Sequence, residues 1–115
     1  MFAHIKHAFF YSLDGFKAAF KDEMAFRLVI LQAVIMLALM IILPFTYVQQ
    51  ALLLTSVALT LIVELLNSSL ENIVDLVTSD WHILAKKAKD MGSAAQFVAT
   101  ASIYVQLFLA VWQYI

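Results

Sequence analysis

Acidic and amide side chains recur at helical spacing near the end of a long apolar stretch of the sequence. At about 100° per residue, four of them project within a sector about 80° wide: Glu64, Asn67, Glu71 and Asp75, which we call the polar stripe. An ionised carboxylate inside the hydrocarbon of a membrane costs at least about 2.5 kcal/mol, so an acidic residue in such a stretch indicates a functional site. The chemistry available to it is proton transfer or the binding of a cation.

A further carboxylate, Glu23, precedes the first apolar stretch and is the expected partner of the polar stripe. Two carboxylates near an interface can hold Mg²⁺, which prefers hard oxygen ligands and usually binds through one or two carboxylates together with substrate phosphates. A magnesium site of this kind favours nucleotide chemistry. Lys89 and the nearby Ser and Asn side chains could complete a nucleotide site.

Two other interpretations of the polar stripe are open. In the first, Asn67, Ser68 and Ser69 only hydrogen-bond between helices, and the outer carboxylates are solvated charges. In the second, Glu64 couples protons or cations in a small membrane transporter. A transporter or a non-catalytic helical subunit gives no reason for Glu23 and Lys89 to gather with the stripe, so a nucleotide site is favoured.

The composition predicts a membrane protein. The chain has 115 residues, of which 64% are hydrophobic and 13% charged, and its mean hydropathy is +0.93. A soluble domain of this length could not cover so many apolar side chains, so lipid must cover part of the surface. The absence of cysteine excludes disulfides and thiolate metal sites, and the net charge of −1 gives no basic surface for nucleic acid.

The elements that must position these residues follow from the apolar pattern. Three segments, about residues 26–48, 50–72 and 92–115, approach the length of about 20 residues that crosses a bilayer. Six large apolar side chains of residues 1–22 project within a sector about 80° wide, which predicts an amphipathic helix lying in the membrane surface; packing against its own bundle is the alternative. These six are Phe2, Ile5, Phe9, Leu13, Phe16 and Phe20. We therefore expect one all-α domain over residues 1–115.

The distribution of cations predicts the orientation in the membrane. All seven Lys and Arg residues fall within residues 6–27 or 86–89, and none lies in the turn around Pro44. The positive-inside rule places the N-terminus and the second loop in the cytoplasm and the C-terminus outside, with Trp112 and Tyr114 as interfacial anchors.

Several strings of the sequence resemble the prokaryotic diacylglycerol kinase family. They are VELLNSSLENIVD at residues 63–75, AKKAKDMGSAA at 85–95, GFKAAF at 15–20 and EMAFR at 23–27. The resemblance covers nearly the whole chain. It implies a homotrimer in the bacterial inner membrane, with active sites shared between subunits, that transfers the γ-phosphate of ATP to the free hydroxyl of diacylglycerol and makes phosphatidic acid.

The resemblance also implies roles for individual residues. Glu64 would be the general base and Asn67 would orient the reacting centre, while Glu23 and Glu71 would hold the Mg²⁺ that accompanies ATP. The implied nucleotide-binding residues are Tyr11, Glu23, Glu71, Asp80, His82, Lys89 and Asp90. The implied lipid contacts are Ser12, Ala25, Arg27, Glu64, Ser93 and Trp112.

The chain departs from the family pattern at His4, Leu13 and Val29, where a basic residue, a tryptophan and an acidic residue are expected; these changes bear on contacts with the lipid. With only two glycines, no glycine-rich loop can hold the phosphates, so the metal and Lys89 must do so.

An undecaprenol kinase is the alternative function for a protein of the same fold. The segments 91–95 and 24–27 favour the diacylglycerol branch.

Overall fold

The computed structural model describes residues 1–115 and consists of four helices. They are α1 (Phe2–Asp22), α2 (Met24–Ile42), α3 (Tyr47–Val77) and α4 (Ile83–Trp112). The last three are long and apolar enough to cross a membrane. The predicted all-α architecture with three candidate spans is therefore confirmed.

A corner at Glu23 separates α1 from α2. Glu23 has extended backbone angles, φ −114° and ψ 109°, which end one helix and start the next. Nη1 of Arg27 donates hydrogen bonds to the carbonyl oxygens of Phe20 at 2.7 Å and of Lys21 at 3.0 Å. These carbonyls belong to the last turn of α1 and have no partner within the helix, so a cation there satisfies them and interacts favourably with the helix dipole.

The first predicted span, residues 26–48, runs past the end of its helix, because α2 stops at Ile42. Leu43 is extended, with φ −85° and ψ 150°, as a residue before proline usually is. The helix therefore breaks before Pro44, and the apolar residues Tyr47 and Val48 belong to the next helix.

A capping box starts α3. Thr46 Oγ1 accepts a hydrogen bond from the Gln49 amide at 3.2 Å, and Gln49 Oε1 accepts one from the Thr46 amide at 3.0 Å. This reciprocal pair satisfies two backbone donors that the first turn leaves free. The polar start of α3 is thus fixed directly after the proline break.

Both remaining spans are longer as helices than their apolar stretches suggest. α3 continues to Val77 rather than residue 72, and α4 begins at Ile83 rather than residue 92. The added turns of α4 are rich in lysine and alanine, which are good helix formers, and Lys86 pairs with Asp90 one turn later. The added residues of α3, 73–77, are apolar except for Asp75. Hydropathy locates the part of a helix that lies in lipid, and it does not locate the end of the helix.

The buried core lies between α2, α3 and α4, around Val57 and Ile103. Only 16 of 115 residues are buried, while Leu31, Leu54 and Phe97 are among many large apolar side chains left exposed. An apolar surface this extensive is covered in the cell by lipid or by other chains.

Candidate active site

A buried carboxylate on α3 is the centre of the site. Glu64 is only 4% exposed. Ser68, one turn further along the same helix, donates a hydrogen bond from Oγ to Glu64 Oε1 at 3.4 Å. The charges of Glu71 and Glu23 also act on Glu64. The fold therefore places Glu71 and Glu23 within electrostatic reach of Glu64, without gathering the three carboxylates into one metal-binding group.

A cavity between α1 and α3, which we call the α1–α3 cavity, adjoins this carboxylate. It encloses about 530 Å³ and is lined by Ser12, Gly15, Phe16, Ala18, Ala19, Asp22, Glu23, Leu65, Ser68, Ser69, Asn72 and Ile73. Hydroxyl, amide and carboxylate groups share its wall with apolar side chains. Such a wall suits a ligand with one polar end and one apolar end. Ser68 belongs to the wall and also bonds Glu64, so the buried carboxylate lies one hydrogen bond behind the cavity.

A second cavity, the loop cavity, lies where α3 connects to α4. It encloses about 400 Å³, and Asp80, His82, Lys89 and Asp90, all predicted on the nucleotide side, are among its lining residues. His82 Nδ1 accepts a hydrogen bond from the Leu84 amide at 3.1 Å and so caps the start of α4. The connection between the helices therefore gathers the predicted nucleotide-side residues of the second loop.

The lysines of the loop cavity are paired with aspartates. Lys89 Nζ donates to Asp75 Oδ1 at 2.8 Å, and Lys86 Nζ donates to Asp90 Oδ2 at 2.6 Å. Lys89 precedes the apolar part of α4, and its hydrogen bond to Asp75, with the charge of that carboxylate, raises the pKa of the Lys89 ammonium. Lys89 is therefore a cation throughout the physiological range.

Asn67 is held against Gly92 of the facing helix. Gly92 is buried, and a Cβ placed there would collide with the Asn67 amide oxygen and lie 3.1 Å from its Cγ. The apolar part of α4 therefore begins in close contact with α3. Oδ1 of Asn67 is buried and has no hydrogen-bond partner in the chain; it lies against Gly92 and lines neither cavity.

The predicted lipid-side residues do not form one cluster. Ser12 lines the α1–α3 cavity, whereas Arg27 caps α1. Trp112 lies at the far end of α4, about 28 Å from Ser93 at about 1.5 Å per residue, and packs against Phe108 with ring centroids 5.5 Å apart. Within one chain, Trp112 therefore cannot contact the same polar group as Ser93.

Two other predicted residues occupy exposed positions. Tyr11 is 70% exposed and stacks on His7, with ring centroids 6.2 Å apart. Ala25 is exposed in the first turn of α2. Neither lines the two cavities described above.

Sequence reasoning singled out Ser68 and Asp75 but missed their hydrogen-bond partners. Ser68 bonds Glu64, and Asp75 bonds Lys89. The spacing of four residues between Glu64 and Ser68 could have indicated the first contact. The second joins residues on different helices, and no spacing rule along one helix predicts it.

The donor groups fit a hard divalent cation. No group of three or more His, Cys, Asp or Glu side chains is close enough to hold a metal. However, Mg²⁺ usually takes one or two carboxylates and completes its shell with phosphate and water. Glu23 and Glu71 both act on Glu64, and hydroxyl and amide oxygens line the cavity beside Glu23. Glu23 and the oxygens of this cavity match the ligand chemistry of Mg²⁺.

Comparison with known proteins identifies the family of the chain. The family model for prokaryotic diacylglycerol kinase matches residues 10–111. A diacylglycerol kinase of Pseudomonas aeruginosa is 50% identical over 95 residues, which cover 83% of this chain and 77% of that protein. A diacylglycerol kinase of Helicobacter pylori is 42% identical over 97 residues, which cover 84% of this chain and 76% of that protein. A diacylglycerol kinase of Escherichia coli is 35% identical over 113 residues, which cover 98% of this chain and 93% of that protein. The chain therefore belongs to the prokaryotic diacylglycerol kinase family.

Proposed function

We propose that this protein is an ATP-dependent diacylglycerol kinase that phosphorylates the free hydroxyl of diacylglycerol and gives phosphatidic acid. Family membership and the names of its relatives support the reaction. The observation that carries the proposal for the site is the buried Glu64, bonded to Ser68 in the wall of a cavity with polar and apolar sides. A diacylglycerol has a hydroxyl that suits the polar side of the cavity and acyl chains that suit the apolar side.

Glu64 acts as the general base in this mechanism. Its carboxylate accepts the proton of the lipid hydroxyl, whose oxygen forms a bond to the γ-phosphorus of ATP while the bond from that phosphorus to the β–γ bridging oxygen breaks and ADP leaves. Phosphoryl transfer needs positioning and charge neutralisation and little covalent help from the protein. Asn67, about one turn along α3 from Glu64, orients the reacting groups.

Glu23 and Glu71 would hold Mg²⁺, which when bound neutralises charge on the phosphate oxygens of ATP. The nucleotide is contacted by Lys89 and Asp90 and, at its outer parts, by Asp80, His82 and Tyr11. Lys89 is the cation available to the phosphates. Since it already bonds Asp75, nucleotide binding has to share or exchange that partner.

The lipid is contacted by Ser12, which lines the α1–α3 cavity, and by Glu64, which lies behind Ser68 in the wall of that cavity. Ala25, Arg27 and Ser93 add further lipid contacts, and Trp112 lies along the acyl region. The protein is a homotrimer of the bacterial inner membrane with sites shared between subunits. Its N-terminus and the loop between α3 and α4 are cytoplasmic, so ATP arrives from the cytoplasm and lipid from the bilayer. The distribution of Lys and Arg supports this orientation.

The decisive experiment measures transfer of labelled phosphate from Mg-ATP to lipid in mixed micelles, with diacylglycerol and undecaprenol offered in parallel to the purified protein. Labelled phosphatidic acid is the expected product. A preference for undecaprenol would keep the chemistry and change the substrate. No label in either lipid, from protein with intact helical circular dichroism, would overturn the kinase proposal in favour of a transporter or an interaction subunit.

Two amide substitutions separate the proposed roles of the carboxylates. Glu64→Gln should lower the transfer rate by about 10²- to 10⁴-fold, the usual contribution of a general base, while Mg-ATP still raises the melting temperature. Glu71→Gln should lower the transfer rate and should also abolish the rise in melting temperature that Mg-ATP causes. Asp14→Asn removes an exposed carboxylate outside both cavities and serves as the control. Full activity of Glu64→Gln would rule out its role as the base.

A further inference from the structure

A serine hydroxyl lies between the α1–α3 cavity and the buried Glu64. Ser68 is one of the residues that line this cavity, and Glu64 is not. Ser68 is itself only 6% exposed, and its Oγ donates a hydrogen bond to Glu64 Oε1 at 3.4 Å. A hydroxyl group that enters the cavity therefore meets the Ser68 oxygen before it meets the carboxylate.

The helical positions along α3 explain why Glu64 lies outside the cavity wall. The residues of α3 that line the cavity are Leu65, Ser68, Ser69, Asn72 and Ile73. At about 100° per residue they span a sector about 140° wide, and Ser68 lies at one edge of it. Glu64 lies about 40° beyond that edge and about one turn earlier along the axis. Ser68 is thus the cavity residue of α3 whose direction is nearest to that of Glu64.

The hydroxyl of Ser68 donates to a carboxylate, unlike other hydroxyls inside the helices. Four of those donate to a backbone carbonyl three or four residues earlier, a common partner within a helix; they belong to Ser12, Thr55, Thr60 and Ser102. Ser68 donates instead to the side chain four residues earlier. A hydroxyl has one donor and two acceptor positions, so the Ser68 oxygen can still accept a hydrogen bond from a group in the cavity.

We propose that Ser68 is a further catalytic residue, which relays the proton of the lipid hydroxyl to Glu64. The inference rests on the proposed function and names the route by which the buried base acts. The lipid O–H bond breaks as its proton passes to Ser68 Oγ, while the Ser68 O–H bond breaks as that proton passes to Glu64 Oε1. The lipid oxygen forms its bond to the γ-phosphorus, the bond from that phosphorus to the β–γ bridging oxygen breaks, and ADP leaves. Ser68 ends as a neutral hydroxyl and Glu64 as a carboxylic acid.

The competing mechanism is direct transfer of the proton from the lipid to Glu64. For this, the Ser68 side chain would have to move aside, because it lies in the cavity wall in front of the carboxylate. Removing the hydroxyl would then open the wall towards Glu64, and the rate would stay the same or rise. In the relay, removing the hydroxyl breaks the path of the proton, and the rate falls.

Two matched pairs of side chains test the relay by transfer of labelled phosphate to diacylglycerol in mixed micelles. Ser68→Ala should lower kcat by about 10²-fold, the lower end of the range for acid–base groups, because a water can replace part of the lost path. Ser68→Thr keeps a hydroxyl, and Ser68→Val has nearly the same shape without one, so the Thr variant should be the faster by a similar factor. This second pair decides the question if Ser68→Ala does not fold. Mg-ATP should still raise the melting temperature of each variant, which separates loss of the relay from loss of nucleotide binding.

A double variant shows whether Ser68 and Glu64 act on the same proton. In one relay, Ser68→Ala combined with Glu64→Gln should be no slower than Glu64→Gln alone, because residues that act as a unit lose their effect together. Independent roles would make the two losses multiply. Ser56→Ala is the control, because Ser56 is a serine of the same helix, 7% exposed, that lines neither cavity; it should keep the rate of the parent protein.

Undiminished transfer by Ser68→Ala would overturn the relay in favour of direct transfer. Equal rates of the Thr and Val variants, or losses that multiply in the double variant, would overturn it as well. A loss in Ser56→Ala as large as that in Ser68→Ala would assign the effect to packing of α3. Each of these results leaves the proposed function intact, because the parent protein still labels the lipid. No label in the lipid from the parent protein would overturn the proposed function itself, and the relay with it.

Discussion

At the scale of single residues, the contact between Asn67 and Gly92 determines the space around the proposed reacting centre. The Asn67 amide fills the volume that any larger residue at position 92 would need. Since Asn67 follows Glu64 by one turn of α3, a displacement of its side chain also disturbs the surroundings of the buried carboxylate. The two helices can place their polar groups together only because one of them carries no Cβ at this point.

Gly92→Ala should therefore destabilise the protein and reduce its activity. Overpacking a tight contact costs about 1–3 kcal/mol, and the added methyl group would push Asn67 out of position. Thermal unfolding in detergent, followed by circular dichroism, measures the loss. Gly15→Ala is the matched control, because no atom lies within 4 Å of a Cβ there, and alanine within a helix should add about 0.5–1 kcal/mol. Equal effects of the two substitutions would contradict the packing argument.

The sequence predicts which side chains could take part in chemistry better than it predicts which side chains contact each other. The carboxylates and Asn67 follow from helical spacing, and the structure places Glu23 and Glu71 close enough for their charges to act on Glu64. The bond between Lys89 and Asp75 could not be predicted, because it depends on how α3 and α4 approach each other after their connection. The position of Arg27 beneath the end of α1 likewise depends on the angle of the corner at Glu23.

At the scale of helices, the boundaries are set by local backbone chemistry rather than by hydropathy. Pro44 ends α2 before the apolar run is complete, and Thr46 with Gln49 starts α3. The number and order of the helices follow from the apolar pattern. Their true ends do not, because α3 runs on to Val77 and α4 begins at Ile83, in the lysine-rich sequence before its apolar stretch.

Thr46→Ala should cost about 1 kcal/mol of unfolding free energy, the usual value for the loss of a capping side chain. Denaturant titration in mixed micelles measures this difference. Thr55→Ala is a suitable control, because Thr55 lies in the same helix and bonds only the carbonyl of Ala51 behind it. A loss in the control as large as that of Thr46→Ala would show that the capping box is not the cause.

At the scale of the whole molecule, charge and apolar surface divide the chain into regions. Every Lys and Arg lies in residues 6–27 or 86–89, and both groups belong to the end of the bundle that holds the proposed site. The opposite end, around Pro44 and Tyr114, is joined by a hydrogen bond from the Tyr114 hydroxyl to the Pro44 carbonyl at 2.7 Å. The asymmetry predicts a single orientation in the membrane.

Cysteine labelling can test that orientation, because the chain has no cysteine of its own. Tyr47→Cys lies at the start of α3 and should react with a membrane-impermeant maleimide on intact cells. Ser79→Cys lies in the connection between α3 and α4 and should react only after the membrane is permeabilised. Both positions are exposed, so the difference reports the side of the membrane. The reverse pattern would contradict the proposed topology, because the proposed site would then lie on the side of the membrane away from cytoplasmic ATP.

The length of α3 makes the proposed enzyme sensitive to the thickness of its membrane. The helix runs for about 46 Å at about 1.5 Å per residue, which exceeds a hydrocarbon layer of about 30 Å. Glu64 lies about 26 Å along the axis from Tyr47, close to the point where lipid ends and water begins. A thicker bilayer would draw Glu71 towards the hydrocarbon, and a thinner one would expose Glu64 to water. Turnover should therefore vary with the acyl-chain length of the surrounding lipid even when the substrate is kept the same.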